Sequence, residues 1–390
     1  MSETIICVAD DVGARVWLER ALGAEWHLEC VSSTDLSRVS RLVQATGTPV
    51  VIVAIDDKDA NRALKVFAAI QKACVGAQLV GVAHRLSQDL LLNIMRAGAR
   101  DCLITGVDSD TALERVRRVA DSAAVTVNSA RVSRGMITLV TSASPVVDAR
   151  FFSQNFVAEL NEFHAGKTLL ALDTSSEPNR TFYFDNLSRL TMDELITQGD
   201  SIDRSFIETA LEEYQPGLRL LSGQVGADLL HGDSAADLYI AITQLAGLFD
   251  HLVIRVDSAH TQAWLKAIGA SLSRVINVIH PAVDQVQATE SLLKDMREWL
   301  ADECPVLVVV DGYEKRASLS LADIEKTINQ RCDLTLPLEW RYRLDAINAG
   351  VPISNLLHKS GYHRNLGGFV RKHYATGEEP RTFSLKRVAG

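Results

Sequence analysis

The sequence predicts an α/β protein built from two doubly wound, mostly parallel sheets. Three observations carry this. Short apolar runs of strand length alternate with amphipathic helical stretches along the 390 residues, the pattern left by parallel sheets covered with helices on both faces. The runs fall into two groups, separated by the small, polar stretch VTVNSARVSRG. The second group opens on a strand, a loop and a helix, Met136 to Leu160, laid out like a phosphate-binding loop.

The first group spans residues 1–123. Its strands read TIICVA, WHLECV, PVVIVAI, AQLVGVA and DCLIT, with helical segments between them and DTALERVRRVADSAA as the closing helix. Five strands in about 120 residues make one flavodoxin-like domain. A linker at 124–135 follows. In the second domain, 136–358, the strands read MITLVT, TLLALD, LRLLSG, HLVIRVD, RVINVIH, PVLVVVD and CDLTLP. From 359 to 390 the pattern dissolves into a Gly-containing, locally basic tail, and no internal repeat is present.

Composition narrows the function classes. The formal charge is −9 with acids and bases well mixed, so a general affinity for nucleic acid is not expected. Six cysteines show no CxxC pair or metal spacing and read as small buried hydrophobes of a reducing compartment. The start, MSETIICVADD, is not a secretion signal. The longest apolar runs are strand-sized, too short to span a bilayer. A cytoplasmic protein is expected, with no bound metal. The ten histidines show no ligand spacing, and no nucleophile, base and acid set presents itself.

The loop between MITLV and FFSQNFVAEL lacks the chemistry its layout suggests. A phosphate cradle needs glycines, so that backbone N–H groups turn inward, and a lysine for the outer phosphates. Here Pro145 has no N–H, Val146 and Val147 resist glycine-like dihedrals, and Asp148 is placed as an N-cap where an anion would otherwise bind. A carboxylate about 5 Å from a phosphate charge costs ~3 kcal/mol at an effective dielectric near 20. Arg150 offsets part of that. Gly166-Lys167-Thr168 looks like the end of a phosphate loop but precedes a strand, so it reads as a turn. ATP and Mg²⁺ are therefore not expected as cofactors.

In the first domain Asp10 and Asp11 follow the first strand and Asp56 the third. Acids at neighbouring strand ends form the constellation that holds Mg²⁺ and accepts a phosphoryl group. With LLNIMRAGARDCLITG, this resembles a response-regulator receiver domain. The sequence departs from that family where the chemistry is done: Ala83 and His84 stand at the hydroxyl position, and Thr105-Gly106 at the lysine. The acids are then loop residues of a docking domain, or Asp56 is phosphorylated.

The second domain resembles the ParA/MinD-type ATPases, whose loop reads KGGVGKTT before an Asn-containing helix. With Asn155 as anchor, the signature lysine falls on Ser144, the glycines on Pro145, Val146 and Asp148, the second lysine on Ala149 and the metal-binding hydroxyl on Arg150. LLALDTSSEPNRTFYFD resembles the family's switch segment, with Asp173 at the place of a water- or metal-positioning acid and Ser175 at that of its companion. HLVIRVDSA places Asp257 at the metal-side acid. Both acids also read as strand-end caps of the following turns. LTLPLEWRYRLDAINAGVPISNLL resembles the closing strand and helix.

A receiver-like domain ahead of a ParA/MinD-like one resembles the TadZ/CpaE proteins of Flp/Tad type IV pilus assembly. That resemblance implies a non-catalytic localisation factor with a degenerate ATP site, a homodimer whose partners are other pilus and secretion assembly proteins, including the assembly ATPase. The alternatives are an ATP-dependent switch using Arg150 as the phosphate cation, and a protein regulated by phosphorylation at Asp56. The tail cations Lys359, Arg364, Arg371, Lys372, Arg381, Lys386 and Arg387 belong to a solvated tail or partner arm, or to a peripheral contact with an anionic membrane surface.

Overall fold

The computed structural model describes residues 4–56, 59–74, 76–126, 135–174, 184, 190–198, 202–223, 225, 230, 232–357 and 360–375. Strands β1 (Thr4–Val8), β2 (His27–Val31), β3 (Val50–Ile55), β4 (Gln78–Ala83) and β5 (Ala99–Ile104) pair in parallel in the order β2-β1-β3-β4-β5. All five are the expected strands. Helices α1 (Val12–Leu22), α2 (Leu36–Thr46), α3 (Ala60–Ala73), α4 (Gln88–Arg96) and α5 (Ala112–Thr126) connect them and close the domain. The first four start where Asp11, Asp35, Asp59 and Ser87 each accept an N–H of the first turn, as short polar side chains at N-caps do. Helix α5 runs three residues past 123, and linker residues 127–134 lie outside the described residues.

The second sheet has the order β13-β12-β11-β6-β10-β7-β9-β8. Its elements are β6 (Met136–Thr141), α6 (Arg150–Phe163), β7 (Leu169–Thr174), α7 (Met192–Gln198), α8 (Arg204–Ala210), β8 (Glu213–Gln215), β9 (Leu218–Gly223), α9 (Gly232–Leu248), β10 (His251–Val256), α10 (Thr261–Ile268), β11 (Arg274–Ile279), α11 (Val283–Met296), β12 (Val306–Asp311), α12 (Leu321–Ile328), β13 (Leu334–Leu336), α13 (Trp340–Ala349) and α14 (Gly361–Tyr374). Every pairing is parallel except β8 with β9. Strands β7, β10 and β12 are buried at every position, so they read as mainly apolar runs, with Asp173, His251 and Arg255 among the buried exceptions.

Two features correct the sequence reading. Strand β8 is an unexpected antiparallel edge, three residues of EYQ with no alternation to betray them. The tail expected from 359 is in its first half helix α14, which buries Tyr362, Leu366, Phe369, Val370 and Tyr374 against α6 and β13. Arg371 and Lys372 thus lie in the last turn of a packed helix. Lys359, Arg381, Lys386 and Arg387 lie outside the described residues.

The domains share a core. Helices α2 and α3 pack on α9, α10 and the 3-10 turn 269–271, and one apolar cluster runs from Val39, Phe67 and Ile70 to Leu238, Ile242 and Trp264. Ser40 and Tyr239 hydroxyls meet across this junction at 2.6 Å. No helix among the described residues is long and apolar enough to cross a membrane.

Candidate functional site

In a parallel sheet all carboxyl ends lie on one edge, where open α/β folds bind ligands. In the second domain that edge gathers the loop after β6 with the ends of β7, β10, β11 and β12. The loop closes on itself. Val147 N–H donates to Ser144 O at 3.1 Å and Val146 N–H to Ser144 Oγ at 3.3 Å. The Ser142 hydroxyl reaches Ser144 O and Val147 O at 3.1 and 3.2 Å. No residue of 142–149 has a positive φ, so the backbone never takes the turn that aims successive amides at one anion.

Asp148 is not the N-cap the sequence suggested. That position is Ala149, which makes no side-chain cap. Asp148 stands one residue earlier, where its Oδ1 accepts the Arg150 N–H at 3.0 Å while Arg150 Nε lies 2.8 and 2.9 Å from its two oxygens. Burial would raise the Asp148 carboxyl, but the Arg150 guanidinium and N–H outweigh it and hold the carboxyl below its ordinary range.

Asp173 and Asp257 come together through a residue the sequence reading passed over. Arg255 lies opposite Asp173 in the β10–β7 register. It donates through Nε to Asp173, through Nη1 to Asp257 at 2.6 Å and through Nη2 to Thr174 O at 3.2 Å. Asp257 makes no side-chain cap, which corrects its capping role, and Asp173 is spent on Arg255 rather than on a turn. Asp173 is 1% and Arg255 3% exposed. Burial lifts the Asp173 carboxyl to about 6 against the pull of Arg255. The Arg255 guanidinium, which burial alone would lower, is held above its ordinary value by the two carboxylates. A signal existed: a charge inside the apolar run HLVIRVD, two residues before Asp257 and so on the same strand face.

A second pair, also missed, lies at the end of β12. Arg343 of α13 donates to both Asp311 oxygens, through Nη1 at 2.8 Å. Its guanidinium lies 5.1 Å from the Phe151 ring centre and 4.9 Å from that of Tyr362. Asn155 ties α6 to the 353–355 turn, donating to Phe151 O at 2.8 Å and accepting Ile353 N–H at 2.7 Å. The three arginines at this edge, 150, 255 and 343, are therefore each engaged by a carboxylate. The Gly166-Lys167-Thr168 stretch is the expected turn, with Gly166 at φ 91° and Thr168 N–H on Asp250 at 2.8 Å. Ser175 lies outside the described residues.

In the first domain Asp10, Asp11 and Asp56 line one cavity of about 640 Å³ with His84, Thr105 and Arg62. Asp11 caps α1, accepting Ala14 N–H at 2.7 Å, a bond that holds its carboxyl down. Asp10 accepts the Ser32 hydroxyl at 2.6 Å and Ser33 N–H at 3.1 Å. Burial opposes these bonds, which still keep its carboxyl below the usual range. His84 Nδ1 meets Thr105 Oγ1 at 2.6 Å, and His84 Nε2 is 3.4 Å from Asp11. The two residues that replace the receiver hydroxyl and lysine are thus bonded to each other.

No protein-family model matches the chain, and no curated protein matches it. Solved structures do. A ParA family ATPase from Chlorobium tepidum aligns over 62% of this chain and 100% of its own at 15% identity, with a TM-score of 0.56. MinD of Aquifex aeolicus covers 61% of this chain and 96% of its own at 17% identity, TM-score 0.44. A CheY-like protein (tadZ) from Pseudomonas aeruginosa covers 31% of this chain and 94% of its own at 21% identity, TM-score 0.29. Such identities speak to fold. The second domain has the ParA/MinD-type ATPase fold, and the strand order of the first is that of CheY. Together they place a CheY-ordered α/β domain ahead of a domain with the ParA-type fold.

Proposed function

We propose that the protein is a non-catalytic scaffold of the TadZ/CpaE kind, placing pilus and secretion assembly components rather than hydrolysing ATP. The observation that carries this is the internal neutralisation of the ATP-site edge. Arg150, Arg255 and Arg343 are engaged by Asp148, Asp173 with Asp257, and Asp311, and the Val146 and Val147 amides bond within the loop. A triphosphate would have to break these pairs and meet the Asp148 carboxylate. The same pairing weighs against Arg150 as a free phosphate cation.

The self-association expected of such a scaffold has a candidate surface on this edge. Val146, Val283, Leu338, Trp340 and Leu344 are exposed in segments that follow the carboxyl ends of β6, β11 and β13. A hydrophobic interface can supply the binding energy that ATP supplies in a nucleotide-bridged dimer.

Calorimetric titration with ATP and Mg²⁺ tests the reading. No binding heat and no change in Tm are expected. A Mg²⁺-dependent rise of a few degrees, as site saturation near 100 Kd would give, overturns the scaffold and favours the switch. Asp10, Asp11 and Asp56 around the first cavity support a second reading, control by phosphorylation on Asp56. An acetyl-phosphate adduct that Asp56→Ala abolishes would establish it.

A further inference from the structure

Where α14 crosses α6, three potential metal ligands converge away from both acidic sites. Glu159 and Glu162 stand one turn apart on α6, which puts them on one face. His363 projects from the first turn of α14. One ligand atom from each of the three lies within 4.8 Å of the others. Gly367 presses onto the Glu159 carboxylate so closely that a Cβ there would come 2.5 Å from Glu159 Oε1. His363 Nε2 and Glu159 Oε2 are already paired at 2.9 Å, close to the spacing of neighbouring ligand atoms around an ion bound at about 2.0–2.2 Å.

We propose that Glu159, Glu162 and His363 bind one divalent transition-metal ion of the Zn²⁺ type, which fastens α14 to α6. One imidazole and two carboxylates form a borderline donor set. The imidazole favours Zn²⁺ and its neighbours over Mg²⁺ and Ca²⁺, which prefer oxygen alone. The charge balance fits: two carboxylates meet at this crossing, and a dication neutralises both. Binding would also tie α14, which completes the second core, to α6, since the ligands come from these two helices.

The full chain, stripped with a chelator, is titrated with Zn²⁺ by calorimetry and with Co²⁺ by absorption. One ion per chain and a Tm raised by a few degrees are expected. Both should be lost in His363→Ala and in Glu162→Gln, and kept in Cys30→Ser. Because Glu162 is exposed, its variant should fold normally. An absence of stoichiometric binding by the unsubstituted chain overturns the site. So does binding that survives His363→Ala, or an intense thiolate charge-transfer band with Co²⁺, which would put the ion on cysteine.

Discussion

At the scale of single residues, ionisable groups are buried with opposite consequences for acid stability. His251 stacks on His164 with ring centres 4.7 Å apart, near Lys167, Arg274 and Asp250. Burial first, then the neighbouring cations, depress it to about 4 from an ordinary 6.5. The unfolded chain therefore binds this proton more readily, so the contribution is complete above pH 6.5 and is lost as pH falls towards 4. Asp173, lifted from 3.8 to about 6, works the other way: its contribution is complete below 3.8 and lost as pH rises through 6. Urea midpoints between pH 4 and 7 should separate them. His251→Gln should remove the acid-side loss, and Asp173→Asn should remove the opposing slope. Arg255→Gln is expected to be harsher, costing about 3–5 kcal/mol because it leaves the buried Asp173 carboxylate without its cation. Combining it with Asp173→Asn should recover part of that, read in the same urea melts.

At the scale of elements, α14 shows how a helix with two adjacent glycines is kept. Each glycine in a helix interior costs about 0.5–1 kcal/mol relative to alanine, and packing offsets this here. Phe369 and Tyr374 meet Phe156 with ring centres 6.4 and 5.3 Å apart, and the Tyr374 hydroxyl reaches Thr138 Oγ1 at 3.1 Å. The two glycines differ. A Cβ on Gly367 meets Glu159, whereas one on Gly368 meets nothing within 4 Å. Gly368→Ala should therefore stabilise by about 0.4–1 kcal/mol. Gly367→Ala should gain less than Gly368→Ala, because the Glu159 carboxylate must swing aside for the added methyl. Thermal melts of the pair test whether α6 and α14 are this close.

At the scale of the whole molecule, the receiver-like domain is anchored through α2 and α3, which leaves its α4 face with Leu92 and Met95 exposed. In the second domain Val146, Val283, Leu338, Trp340 and Leu344 are exposed in segments that follow the carboxyl ends of strands. If two copies meet there, the joint should bury about 1,200–2,000 Å² in total. Sedimentation at micromolar concentration should give a dimer without nucleotide, and Trp340→Glu with Val283→Glu should give a monomer. A dimer that persists in the double variant would place the contact elsewhere, with α4 the next surface to alter.

Local pattern determined much of this protein. Strands buried on both faces are mostly apolar runs, so β6, β7, β10 and β12 were legible, as was the convergence of Asp10, Asp11 and Asp56, which follows from parallel strand order alone. The altered loop was legible too, because Pro145 and the two valines have no glycine-like freedom wherever they fold. What only the tertiary structure decided are pairings between distant segments. Arg255 meets Asp173 through the β10–β7 register, Arg343 reaches Asp311 from the following helix, and Asp148 turns to Arg150 instead of capping. Helix α14 was hidden because local propensity marks Gly367 and Gly368 as breakers, while the apolar stripe from Tyr362 to Tyr374 gains its energy only once α6 and β13 are there to cover it.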